Sequence, residues 1–341
     1  MKELLFLYNP TSGKGKVKGE LSAILDTFTK AGYLVTVRPT QEKGDAARIA
    51  KELGGQFDRV ICSGGDGTLS ETAAGLMQLE HPPVLGYVPF GSTNDCAATL
   101  RLPKKVQEAA ALAVGDRPPR PWDVGMLNDR AFIYVAAFGA FTEVSYDTPQ
   151  DLKNTFGHLA YVMAGIASIP SISPYHMRVE VDDQQVLEDD FYYGMVCNTI
   201  SVGGMKALPA DKVVVDDGKF EVVLVRKPSS IADVTASLQA LIRQAPLEDG
   251  ALLSFHASRL TFTCDRPVPW TVDGEYGGSQ EVNRVENCRQ ALQIMQGERT
   301  VGPDPLGGSF STDFCSPPKP SPVRGKADSP CQGEMAAGQR G

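Results

Sequence analysis

From Leu4 to Val114 short apolar runs alternate with segments whose apolar residues recur at helical spacing. Leu4 to Tyr8 is the first run. After it Leu21, Ile24, Leu25 and Phe28 stand at i, i+3, i+4 and i+7, which is one face of a helix. Tyr33 to Arg38 is the second run, followed by Ala46, Ile49, Ala50 and Leu53 at the same period. Arg59 to Cys62 and Val84 to Val88 are the third and fourth, with helical segments at Thr68 to Leu79 and Lys104 to Val114 behind them. Strands this apolar cannot keep one face in water. The alternation therefore predicts parallel strands with helices on both faces. In such sheets ligands bind at the carboxyl ends of the strands.

Past Pro121 the pattern changes. Val124 to Leu127 and Ala131 to Ala137 flank Asn128-Asp129, a hairpin signal, and Met177 to Val181 and Phe191 to Asn198 flank a polar turn at Asp182-Asp183. Phe220 to Val225, Leu252 to His256, Leu260 to Thr263 and Trp270 to Val272 continue as short strands, interrupted by helical stretches at Leu152 to Ser168 and Ile231 to Gln244. This half predicts an antiparallel all-β sandwich or barrel. A chain of 341 residues carries a prior of about two domains. The expected division is an α/β nucleotide-binding domain at 1–122, to which 288–297 returns through Ala291 to Met295, and a β-sandwich substrate domain at 123–287. From 299 to 341 seven Gly and seven Pro accumulate while apolar residues thin out, so that segment is expected to be a disordered tail.

Composition narrows the function classes. Hydrophobic residues are 42% and charged residues 22%, enough for two cores without disulfides or metals. Lys plus Arg is 33 against 41 Asp plus Glu, a net charge of −8, which argues against nucleic acid as a partner because binding there rests on neutralising phosphates. The seven Cys form no C-x-x-C pair and read as reduced packing residues of a cytosolic protein. The first nine residues hold too short an apolar run for a signal peptide, and no run of roughly 18 apolar residues exists. The expectation is a cytoplasmic protein whose membrane contact is peripheral.

Three polar loops follow strands one, three and four. The first is Asn9-Pro10-Thr11-Ser12-Gly13-Lys14-Gly15. Its small residues would let backbone N–H groups approach an anion. It departs from a Walker A loop, since Tyr8 stands where that pattern needs Gly and Lys14 precedes Gly. The second is Ser63-Gly64-Gly65-Asp66-Gly67-Thr68-Leu69-Ser70-Glu71, three glycines around one carboxylate, with Thr68 and Glu71 spaced as a capping box. Its glycines would admit phosphate oxygens, and Asp66 could hold a magnesium ion or its water. The third is Pro89-Phe90-Gly91-Ser92-Thr93-Asn94-Asp95, with Asn or Asp able to cap the next helix. Three such loops at one sheet edge point to a shared phosphate site.

In this order the N-P-x-S-G, G-G-D-G-T and G-S-T-N-D loops resemble the diacylglycerol-kinase catalytic domain, including the bacterial lipid kinases of a superfamily that also holds sphingosine and ceramide kinases. The resemblance spans roughly residues 2 to 297. The G-G-D-G turn is shared with NAD kinases and 6-phosphofructokinases. Asn9-Pro10, the loop Gly91 to Asp95 and the second half favour the lipid-kinase branch.

The resemblance implies ATP and Mg²⁺ as cofactors, and transfer of the γ-phosphate to a lipid hydroxyl, foremost diacylglycerol to phosphatidic acid. It places nucleotide contacts at Asn9, Pro10, Thr11, Ser12, Gly13, Thr40, Gly64, Gly65, Asp66, Gly67, Thr68, Leu69, Ser70 and Thr93, with Lys14 as a further phosphate partner. Asp66, Asp95 and Asp123 would form a carboxylate network around the catalytic Mg²⁺. The turn Asp216-Asp217-Gly218-Lys219-Phe220 resembles a structural magnesium site, with the Asp217 carboxylate and carbonyls near Val214 and Lys219. In Asp273-Gly274-Glu275, Glu275 would be the general base and Asp273 its neighbour, and the two could exchange roles. Implied partners are diacylglycerol or a similar lipid and a membrane surface; a homodimer stays open. Leu152 to Ile169 reads first as core packing and second as the border of a lipid-tail cleft. Arg101, Lys104, Lys105, Arg117 and Arg120 read first as a solvated surface and second as headgroup contacts. The alternatives are an NAD or sugar kinase built on the same G-G-D-G turn, and a nucleotide- or lipid-binding protein without turnover.

Overall fold

The computed structural model describes residues 2–139, 173–202, 205–206, 213–227 and 251–298. The expected helices at Leu152 to Ile169 and Ile231 to Gln244, and the tail at 299–341, lie outside the described residues. Four apolar runs form the parallel strands β1 (Lys2–Tyr8), β2 (Tyr33–Pro39), β3 (Arg59–Gly64) and β4 (Val84–Pro89), side by side in the order β4-β3-β1-β2. Among the described residues the α-helices are α1 (Val17–Lys30), α2 (Asp45–Leu53), α3 (Asp66–Leu76), α4 (Asp95–Thr99) and α5 (Val106–Val114).

Alternate residues of β1 show why Leu4 to Leu7 are all apolar. Leu4 and Phe6 are buried with Ile24 and Phe28 of α1 and with Ala109 and Ala113 of α5. Leu5 and Leu7 are buried on the opposite face with Ile49 and Ala50 of α2 and with Leu69 and Ala73 of α3. The sheet is covered on both sides, and truncating one such leucine to alanine would cost about 2–5 kcal/mol.

The second half is antiparallel. It holds β5 (Arg120–Leu127), β6 (Arg130–Phe132), β7 (Val135–Gly139), β8 (Tyr175–Val181), β9 (Gln185–Cys197), the short pair β10 (Ser201–Val202) and β11 (Met205–Lys206), then β12 (Phe220–Arg226), β13 (Leu252–Ala257), β14 (Arg259–Val272) and β15 (Glu275–Ile294). β7 pairs β9, β9 pairs β8, β8 pairs β14 and β14 pairs β7, a closed circuit of strands. It encloses an aromatic core in which the rings of Phe138 and Trp270 lie 4.9 Å apart and those of Phe262 and Trp270 5.1 Å apart.

Three stretches differ from the expectation. Ala131 to Ala137 divides between β6 and β7, because the N–H groups of Ile133 and Tyr134 donate to the Asp273 carboxylate instead of to a ladder. Leu260 to Thr263 and Trp270 to Val272 belong to one strand, β14. Its register breaks between Thr263 and Val268, where Pro267 supplies no N–H to a ladder. The strand β15 begins 16 residues before Ala291, because its solvent side carries polar residues such as Glu281, Arg284 and Glu286 that mask the alternation. β15 pairs antiparallel with β14 and β5, and its last residue, Ile294, pairs parallel with Leu85 of β4. Both halves thus share one 13-stranded sheet.

Candidate functional site

The three polar loops meet at the carboxyl ends of β1, β3 and β4. Gly13 has φ 60°, and a methyl group there would lie 2.9 Å from the Phe90 carbonyl oxygen of the third loop. A methyl group on Gly91 would lie 2.8 Å from the Gly65 Cα of the second. These loops touch backbone to backbone, which a side chain at either position would prevent. Hydrogen bonds fix the same junction: Phe90 N–H donates to the Gly64 carbonyl at 2.6 Å and Asn9 N–H to the Ser63 carbonyl at 2.9 Å. Asn9 Oδ1 accepts from Thr11 N–H and Oγ1, and Asn94 Oδ1 accepts from Gly91 N–H at 2.7 Å. Thr40 N–H, after β2, donates to the Tyr8 carbonyl at 2.9 Å and joins the same edge. Lys14 is exposed on the first loop, at φ 58°.

The capping box expected of Thr68 and Glu71 does not form. The helix α3 starts earlier, at Asp66, with Gly65 as its N-cap and no side-chain cap. Glu71 Oε1 instead accepts from Gly44 N–H at 2.9 Å, tying the loop before α2 to α3.

Asp66 is buried and grips the next helix. Its Oδ2 accepts from Asp95 N–H at 3.0 Å and from Thr93 Oγ1 at 3.3 Å, and its Oδ1 accepts from Cys96 N–H at 3.1 Å. Burial raises its carboxyl above the usual value, against the lowering effect of those N–H groups, and the Asp95 charge raises it further. Asp95 Oδ1 in turn accepts from Ser201 Oγ, and Thr99 Oγ1 lies 2.7 Å from Thr199 Oγ1, so α4 is bound to the antiparallel half.

The β14–β15 turn faces this group. Asp273 and Gly274 have φ 49° and 82°, both positive as a two-residue type I′ hairpin requires. The Asp273 carboxylate accepts from the N–H groups of Ile133, Tyr134 and Val135 and from Ser70 Oγ at 2.6 Å. Burial nevertheless pushes its carboxyl up to about 6. Two residues on, the Glu275 side chain is 46% exposed, with Oε2 2.8 Å from Lys43 Nζ. Neighbours in sequence, the two carboxylates have opposite surroundings: Asp273 is locked and Glu275 is accessible.

Asp123 does not join Asp66 and Asp95. Its Oδ2 accepts from Gly218 N–H at 2.6 Å and its Oδ1 from Gln290 N–H at 2.6 Å, which puts it at the Asp216 to Lys219 turn. There Asp217 Oδ1 accepts from Lys219 N–H at 2.9 Å, and Asn198 Nδ2 donates to the Asp123 and Val215 carbonyls. Burial, with the charges of Asp217 and Asp123 adding to it, holds the Glu221 carboxyl well above its usual value. Glu221 directly follows Phe220, so the motif could have flagged it. Nothing in the sequence marks Lys43, Thr199 or Ser201, whose contacts with Glu275, Thr99 and Asp95 span 100 residues or more. Of the basic set, Lys105 pairs with Glu108 and Arg117 with Glu298.

Residues 3–127 match the diacylglycerol kinase catalytic domain and residues 137–296 match the YegS C-terminal NAD kinase beta sandwich-like domain. The diacylglycerol kinase of Bacillus subtilis is 35% identical over 300 residues, covering 88% of this chain and 98% of that protein. The chain belongs to the diacylglycerol kinase family. The diacylglycerol kinase of Staphylococcus haemolyticus is 32% identical over 84% of this chain and 86% of its own length. A crystal structure of a diacylglycerol kinase from Bacillus anthracis has the same fold, with a TM-score of 0.68 and 24% identity over 87% of this chain and 97% of that one. Membership makes this kinase an enzyme that transfers phosphate to a lipid hydroxyl, as the resemblance of its loops implied. No helix among its described residues is long and apolar enough to cross a membrane.

Proposed function

We propose that this kinase uses ATP to phosphorylate diacylglycerol, giving phosphatidic acid. The observation that carries the reading is a direct contact: Ser70 Oγ, on α3 behind the second glycine loop, donates to the Asp273 carboxylate at 2.6 Å, two residues before the accessible Glu275. Phosphate oxygens would be held at the loops Asn9 to Gly13 and Gly64 to Ser70, where the N-terminal end of α3 and its helix dipole favour anions. Thr40 and Thr93 would add polar contacts at the same edge. Glu275 would accept the proton of the lipid hydroxyl as its oxygen bonds to the γ-phosphorus and the bond to the β–γ bridging oxygen breaks, releasing ADP. Asp273, held by four hydrogen bonds, would fix the hairpin that carries Glu275 rather than take the proton itself.

Mg²⁺ bound with the nucleotide would neutralise phosphate charge, and Asp66 and Asp95 are the carboxylates at those loops. A second cation suits the Asp217 turn. Among the described residues Glu221 Oε2, Asn198 Oδ1 and Asn287 Oδ1 are buried there without hydrogen-bond partners, and an all-oxygen donor set fits a hard cation. Val214, Asp217 and Lys219 would hold it. The working division keeps residues 1–122 with 288–297 as the nucleotide unit and 123–287 as the lipid unit, with the protein cytoplasmic and meeting the membrane peripherally. The test is phosphorylation with radiolabelled ATP over a lipid panel, with NAD and a sugar phosphate as controls. Label on diacylglycerol is expected; label on NAD or the sugar phosphate, or on nothing, would overturn the reading.

A further inference from the structure

The loop that carries Lys43 is built, not slack. The N–H groups of Gln41 and Glu42 donate to Asp45 Oδ2 at 2.7 and 3.3 Å, and Arg48 holds Asp45 Oδ1 at 2.6 Å. Gly44, at φ 84°, donates its N–H to Glu71 Oε1 at 2.9 Å. Glu71 stands on α3, the helix that also carries Asp66 and Ser70. The base of Lys43 is therefore fixed relative to the second phosphate loop. From there its ammonium reaches Glu275 Oε2 at 2.8 Å, across to the antiparallel half. Among the described residues Lys43 is the polar partner of that carboxylate. On the other side of the hairpin Arg130 donates to the Tyr276 carbonyl, so the strand start is held from two directions.

We propose that Lys43 is a positioning residue for Glu275: it sets the carboxylate's place against the phosphate loops from the nucleotide side. The inference rests on Glu275 being the proton acceptor. An ion pair with side chains 70% and 46% exposed adds little to folding stability, so its consequence lies in which rotamer Glu275 occupies. A misplaced base slows the chemical step without weakening nucleotide binding.

The test is a double-mutant cycle on the full chain, with kcat, the KM for ATP and the thermal midpoint measured for each variant. Lys43→Met should lower kcat about two- to fivefold, the range set by exposed ion pairs, and leave the KM for ATP and the midpoint unchanged. Lys43→Arg should restore most of the loss. In a Glu275→Gln background Lys43→Met should have no further effect, because a neutral amide has no charge to hold. An equal fall in both backgrounds, or a raised KM with kcat unchanged, would overturn the proposal and make Lys43 a structural or phosphate contact. An inactive Glu275→Gln beside a fully active Lys43→Met would remove Lys43 alone. Full activity in Glu275→Gln would remove the base assignment and this proposal with it.

Discussion

Ser70 Oγ lies 2.6 Å from Asp273 Oδ2, joining two residues 203 positions apart. One stands on the helix behind the G-G-D-G turn and the other on the hairpin that presents Glu275. The bond sets the spacing between the phosphate loops and the candidate base, so the two halves of the site are positioned by direct contact.

Replacing Ser70 with alanine should therefore be felt twice. The buried Asp273 carboxylate loses one of four donors, a loss of about 1–3 kcal/mol. Urea midpoints should fall accordingly, and kcat should fall while ATP binding changes little. An unchanged midpoint with unchanged kcat would show that the contact is incidental.

The Asp273 carboxyl gives a pH signature. Burial raises it from 3.8 to about 6 in the folded protein, although Ser70 and three N–H groups act to lower it. The folded state then holds the proton more tightly than the unfolded chain. The stability this group contributes is complete below about pH 4 and is lost as pH rises through about 6, at most about 3 kcal/mol. Wild type and Asp273→Asn should be compared by urea unfolding from pH 4 to 7. The stability of wild type relative to the variant should decline across that range, and a constant difference would contradict the assignment.

Asp66→Asn should combine a structural and a catalytic loss. An amide offers one acceptor oxygen where the carboxylate uses two, so the N-terminus of α4 loses at least one partner, worth about 1 kcal/mol. Most turnover should go with it, since a neutral amide serves a metal poorly. Activity within twofold of wild type at an unchanged thermal midpoint would remove Asp66 from both roles.

What was legible from residues alone follows the range of the physics. The apolar alternation of β1 to β4 is local, and so were the hairpin at Asn128 and the turn at Asp182. The loops Asn9 to Gly15, Gly64 to Ser70 and Gly91 to Asp95 were visible as glycine clusters, and their convergence follows from sheet order. Glu71 was misread because a capping-box spacing says nothing about a competing N–H, here Gly44, 27 residues away. Asp123 was misplaced for a similar reason: its hydrogen bonds depend on how β15 brings Gln290 beside the Asp217 turn. Polar residues on the open side of β15 hid most of that strand.

The central claim is that phosphate passes to a lipid hydroxyl whose proton goes to Glu275, with ATP held by the other half of the sheet. Glu275→Gln keeps size and hydrogen bonding but removes proton acceptance, and its carboxylate is exposed, so folding should not suffer. The decisive measurement is kcat for diacylglycerol phosphorylation by this variant, with the dissociation constant for ATP titrated on the same preparation. A fall in kcat of about 10²–10⁴-fold at an unchanged ATP constant is predicted, the range of a positioned general base. A near-normal kcat would contradict the account, and an inactive Asp273→Asn beside it would move the proton to Asp273.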